Sequence, residues 1–166
     1  MTTIAKNRIV RSITQNAVFE DCTNLLTSSI SWNQGDQLVY DSSAKTVRAM
    51  ATESSDSANF LGIAIVTIVN GAIQGAYGTL ATGSQTASGG IPGPVFGVEA
   101  SWFLKSGDAL SPGSSVYAYP TTNAQTVAAT GTNPIGVYNG PAITGTGTNT
   151  VNVRVGCTFQ KGNLAW

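Results

Sequence analysis

A glycine-aspartate corner followed by three short β-like runs occurs twice in this chain, and any fold must accommodate both copies. The first, residues 35–64, opens G-D-Q-L-V-Y-D, turns through residues 42–45, resumes T-V-R-A and, after a polar loop, ends in F-L-G-I-A. The second begins at Gly107-Asp108 and runs through V-Y-A-Y (116–119), T-V-A-A (126–129) and I-G-V-Y (135–138). The Gly-Asp pairs lie 72 positions apart and Gly62 and Gly136 lie 74 apart. Spacing thus holds across the unit to within two residues, which reads as one β unit used twice.

The residue types explain why the unit is β. Glycine accepts a positive φ and aspartate bonds its own nearby backbone, so Gly-Asp suits a corner. The runs after each corner are rich in Val, Tyr, Thr and Ala and are broken by Gly, Ser, Asn and Pro, as expected of a pleated, half-buried surface. Residues 37–40 pair with 46–49 through a tight turn. A glycine inside a strand only weakens it unless the backbone bulges or another backbone comes close. Gly62 and Gly136 mark such points.

At 166 residues the chain is one domain by size, large enough for a substantial core. We divide it into residues 1–28, an N-terminal arm or short helix; 29–156, the β domain; and 157–166, a C-terminal tail. Eight basic and eight acidic residues leave no net charge, and only 10% of residues are charged. A solvated monomer normally carries a quarter or more on its surface. A neutral exterior of Ser, Thr, Asn, Gln and Gly releases few counterions, which argues against nucleic acid as a partner. It suits contact with other protein, and an oligomer is expected.

Residues 1–20 lack the apolar run of a secretion signal, and residues 60–69, the longest apolar stretch, are far short of a membrane span. The expectation is a chain made in a cytosol, with no membrane partner. Cys22 and Cys157 are too few for a disulfide framework or a metal site and read as small buried hydrophobes.

In chain order, residues 1–12 are basic, with Lys6, Arg8 and Arg11 and no acid. They read either as a solvated terminus or as an arm docking on a neighbouring chain. Apolar positions 13, 17, 18, 22, 25 and 26 allow a short amphipathic helix, and residues 18–22 suit a strand equally. The loop at 52–59 carries Glu53 and Asp56, but without the glycine-punctuated ligand spacing of a calcium loop, so ordinary solvation is expected. Asn70-Gly71 between residues 60–69 and 72–80 is a strong hairpin signal. The Gly/Ser/Pro stretch at 81–94 has neither the Lys-Ser/Thr nor the helix of a phosphate loop. Residues 95–104 and 150–155 alternate as half-buried strands, the latter with Val151, Val153 and Val155 on one face. Trp166 packs either on its own core or into a neighbour.

The chain has no histidine, which removes the commonest general base and metal ligand together. Asp36 and Asp108 are corner residues, Glu99 is a lone strand carboxylate, and no nucleophile can be assembled with a base. These residues predict no enzyme, no metal and no cofactor.

The pattern of Gly35-Asp36, Leu61-Gly62-Ile63-Ala64, Gly107-Asp108 and Ile135-Gly136-Val137 resembles the decoration, or cement, proteins of tailed-bacteriophage heads over residues 29–156. The second unit departs from that pattern in S-P-G-S-S at 111–115 and in Tyr138, where alanine is usual. The resemblance implies a virion structural protein on the capsid exterior. It would bind the major capsid protein as a homo-oligomer, a trimer preferred, and stabilise the shell by bridging capsomers. Lys6, Arg8, Arg11 and Trp166 are then the candidate capsid-binding residues. A different class is a head-fibre or tail-associated adhesin for host glycan, with Trp32, Trp102 and nearby tyrosines as stacking rings. Exposure of those rings separates the two. The fold expected is all-β, a compact sandwich or barrel-like domain of two related β units, with at most one short helix near residues 13–26.

Overall fold

The structure, a computed structural model, describes residues 9–12, 30–74, 94–121 and 123–156. The expected helix at 13–26 and the tail at 157–166 lie outside them.

The described chain begins with β1 (Ile9–Ser12) and then builds the first unit from β2 (Gln37–Asp41), β3 (Thr46–Ala49) and β4 (Phe60–Ile63). Gly35 turns the corner at φ 94°, and the Asn33 N–H donates to Asp36 Oδ2 at 2.8 Å. β2 and β3 form the expected hairpin, with Leu38 opposite Ala49 and Asp41 opposite Thr46. Its turn is fixed by Asp41 Oδ1, which accepts the Ser43 and Ala44 N–H groups at 3.0 Å each. β4 pairs with the other edge of β2, giving the order β3-β2-β4.

Residues 60–69 do not form one strand. They break after β4 and resume as β5 (Thr67–Val69), which pairs with β6 (Ala72–Gln74). Asn70 and Gly71, at φ 51° and 76°, make the turn, as the Asn-Gly pair requires. The part of residues 72–80 beyond Gln74 lies outside the described residues.

The second unit follows β7 (Val98–Leu104); its corner leads first into β8 (Ala109–Leu110) and then into β9 (Ser115–Ala118), β10 (Thr126–Ala128) and β11 (Pro134–Tyr138). Its order is β10-β9-β11, antiparallel throughout, which repeats the arrangement of the first unit. In the first unit the strand after the corner lies between its two successors; in the second, β9 does so, one strand on from the corner. The departure at 111–115 is a turn, with Gly113 at φ 85° and Ser114 N–H donating to Ser111 O at 3.0 Å. It divides the strand that is continuous in the first unit, so β8 pairs instead with β12 (Ile143–Thr144).

β13 (Thr150–Val155) pairs along the whole of β7 and also with β11. The ring β7-β10-β9-β11-β13 therefore closes on itself as a five-stranded barrel. Val98, Ala100, Trp102 and Leu104 of β7 and Val151, Val153 and Val155 of β13 fill it, as their two-residue period requires. The first unit lies against this core through Val39, Met50, Phe60 and Ile63. Leu38 and Val47 instead join Trp32, Ala64, Val66 and Ile68 in a second cluster. β2 is thus covered on both faces, and its apolar run is continuous rather than alternating.

The loop at 52–59 contains a helical turn, α1 (Glu53–Asp56), followed by a 3-10 turn, Ser57–Asn59. A Ser-rich tetrapeptide has no helical stability of its own. Here Asp56 holds the turn, because its carboxylate accepts the Ala51 and Thr52 N–H groups at 3.0 and 3.1 Å. Asp56 is buried, so solvation does not account for it.

Candidate interaction surface and the seam between the units

Of the four residues singled out for capsid binding, Lys6, Arg8 and Trp166 lie outside the described residues. Arg11 lies in β1, which pairs antiparallel with the first half of β7. The same edge of β7 is taken at its other end by β10, at Phe103 and Leu104. From Ile9 to Ser12, then, the basic terminus is a strand that extends the barrel sheet. Among the described residues β1 has one strand neighbour, β7.

Register places Arg11 opposite Glu99, and Glu99 opposite Arg154 of β13. This register gives Arg11 and Glu99 places in the sheet that sequence separation hides.

The two units meet in a buried polar seam. Gln37 N–H donates to Ala124 O at 2.7 Å, and Gln37 Nε2 donates to Thr126 O at 3.1 Å. In return, Gln125 Nε2 donates to Gln34 O at 3.1 Å and to Asp36 Oδ1 at 2.9 Å. Trp102 Nε1, from the barrel core, donates to Gly35 O at 2.8 Å. The corner aspartate therefore both closes its own turn and receives an amide from the other unit. Burial pushes the Asp36 carboxyl above its usual range, against the Asn33 N–H and the Gln125 amide, which favour the charge. Gln37 Oε1 and Gln125 Oε1 are buried without a hydrogen-bond partner among the described residues. Two glutamines far apart in the chain carried no signal of this exchange.

Outside the seam, Arg48 clamps two acids. Its Nη1 and Nη2 donate to Asp56 Oδ2 and Oδ1 at 2.8 Å each, and its Nε donates to Asp41 Oδ2 at 2.9 Å. Burial pushes the Asp56 carboxyl up, but the Arg48 hydrogen bonds, two backbone N–H groups and the Arg48 charge together bring it down to about 2. Asp41 is lowered by the Ala44 N–H and by Arg48. Glu53 accepts from the backbone N–H and the hydroxyl of Thr132, tying α1 to the second unit. Asp108 Oδ2 accepts the Ala129 N–H at 2.7 Å, while Lys105 Nζ lies 3.5 Å from Asp108 Oδ1 and 4.9 Å from the Tyr119 ring centre.

These acids serve backbone, arginine and lysine partners. Among the described residues, no three His, Cys, Asp or Glu side chains are grouped to hold a metal ion, and no helix is long and apolar enough to cross a membrane. Trp32 and Trp102 are 3% and 0% exposed, so neither ring is displayed to a sugar. No family model matches the chain, and no curated protein matches it.

Proposed function

We propose that this chain is a virion structural protein, a cement protein on the outer surface of a phage head that stabilises the shell by bridging capsomers. The observation that carries the reading is the repeated unit. Each Gly-Asp corner is followed by three strands of the same order, with β8 interposed in the second unit, and these are the segments on which the resemblance rests. The partner is the major capsid protein, and the working form is a homo-oligomer, a trimer by preference. The protein is made in the host cytoplasm and ends on the capsid exterior. It is not an enzyme, takes no cofactor and engages neither nucleic acid nor membrane.

The physics suits this role. A symmetric oligomer that touches several shell subunits raises its avidity through effective concentration, so each subunit needs only a modest interface. Strand edges and termini are natural connectors, because an extended segment can add to a sheet edge through main-chain hydrogen bonds. The glycan-adhesin alternative loses its two tryptophans to the core and would have to use other rings.

Light scattering on the purified protein, followed by sedimentation with undecorated heads, tests the reading. A trimer that co-sediments to saturation at a fixed ratio to the shell protein is expected. A protein that stays in the supernatant at every concentration overturns the proposal, and glycan binding is then the next assay.

A further inference from the structure

The sequence contains two Asn-Gly pairs, Asn70-Gly71 and Asn139-Gly140. Glycine lets its own backbone nitrogen approach the preceding asparagine side chain with least hindrance, since it has no Cβ. For attack, that N–H must also be released from any hydrogen bond it makes.

The fold treats the two pairs differently. Gly71 N–H donates to Ile30 O at 2.9 Å, and Asn70 N–H donates to Ser31 Oγ at 3.0 Å. Asn70 is also held at φ 51° as the first residue of the β5-β6 turn. Asn139 and Gly140, in contrast, form the connection after β11. Asn139 is exposed and has a negative φ. Among the described residues, neither the Asn139 side chain nor the Gly140 N–H makes a hydrogen bond. Position 140 is closed to other residues, because a Cβ there would run into the Tyr138 hydroxyl, which is fixed by donating to Pro141 O at 2.7 Å. The fold thus requires, next to an exposed asparagine, the residue that most favours cyclisation.

We infer that Asn139 is a site of spontaneous self-modification, and that Asn70 is protected in the folded protein. The Gly140 nitrogen attacks Asn139 Cγ and a C–N bond forms. The bond from Cγ to the side-chain nitrogen breaks, and that nitrogen leaves as ammonia with the Gly140 proton. Water then opens the five-membered succinimide at either carbonyl, giving aspartate or isoaspartate. No oxidant or reductant takes part. Each event adds one negative charge to a chain whose eight bases and eight acids balance.

The test is to hold the full-length folded protein in mildly alkaline buffer below its melting temperature, then follow it by isoelectric focusing and peptide mass mapping. An acidic species is expected, with the amide lost at Asn139 about fivefold faster than at Asn70, the factor one released hydrogen bond supplies. In urea the two rates should converge. The Asn139→Gln variant, which cannot form the five-membered ring, should lose the acidic species, while Asn70→Gln should retain it. Equal rates in the folded protein overturn the inference. So does a difference that persists in urea, or an acidic species undiminished in Asn139→Gln.

Discussion

A methyl group at position 62 would be driven against the Val95 carbonyl oxygen, on a backbone held at φ 147°. Val95 cannot retreat, because its N–H and carbonyl are both bonded to Ile63, at 3.0 and 2.8 Å. Gly62→Ala should therefore lower stability by about 3 kcal/mol, from overpacking and left-handed strain together. Gly113→Ala has only the second term, since nothing lies within 4 Å of its added Cβ, and should lose about 1 kcal/mol. Urea unfolding of the two variants checks this, and equal losses would show that the Val95 contact does not matter. Asp56 makes a second case, with a pH signature. Its folded carboxyl is held down at about 2, so its contribution is present above the unfolded value of 3.8 and is lost as pH falls towards 2. That shift corresponds to about 2 kcal/mol at neutral pH. Asp56→Asn should remove this amount and flatten the acid limb between pH 4 and 2 in melting curves. A wild-type acid limb retained in the variant would assign the loss to other carboxylates.

At the scale of elements, the sequence was legible where local chemistry decides the outcome. The Gly35 corner, the hairpin of β2 and β3, the Asn70-Gly71 turn and the alternation of β7 and β13 all follow from turn residues and a two-residue period. Gly62 and Gly136 mark irregular register as well as close backbone approach, in β2-β4 and β9-β11 respectively. What could not be read depends on partners distant in sequence. α1 exists because Arg48 and two N–H groups outside the helical turn share the Asp56 carboxylate. Residues 60–69 read as one apolar run because burial of Phe60, Ile63, Ala64, Val66 and Ile68, not strand continuity, governs most of it. The polar seam joins positions 89 apart, and nothing local distinguishes a buried glutamine from an exposed one. The seam also predicts a pH dependence opposite to that of Asp56. The Asp36 carboxyl is raised in the folded state, so its contribution is complete below 3.8 and is lost as pH rises through the folded value. Asp36→Asn should abolish that decline. Stability measured from pH 4 to pH 7 should fall less steeply in the variant than in the wild type, and parallel profiles would show that Asp36 titrates normally.

At the scale of the whole molecule, closure of the barrel and the role of the basic terminus become one question. β7 is paired on one edge by β13 along its full length, but its other edge is shared between β10 and β1. Removing β1 would leave backbone groups near Val98 and Ala100 unpaired on a strand whose alternate side chains are buried. The terminus comprises the sheet strand at 9–12 and, outside the described residues, the segment that carries Lys6 and Arg8. Deleting residues 2–8 leaves β1 intact and should change the melting temperature by no more than about 2 °C. On the capsid-binding proposal it should nevertheless reduce occupancy of phage heads. Deleting residues 2–12 removes the strand as well and should lower the melting temperature by at least about 5 °C, with a greater tendency to self-associate through the bared edge. Calorimetry and head sedimentation on the same two variants divide the outcomes. If the shorter deletion melts normally and saturates heads like the wild type, Lys6 and Arg8 are not capsid contacts. If the longer deletion also melts normally, β1 contributes nothing to the stability of the closed barrel.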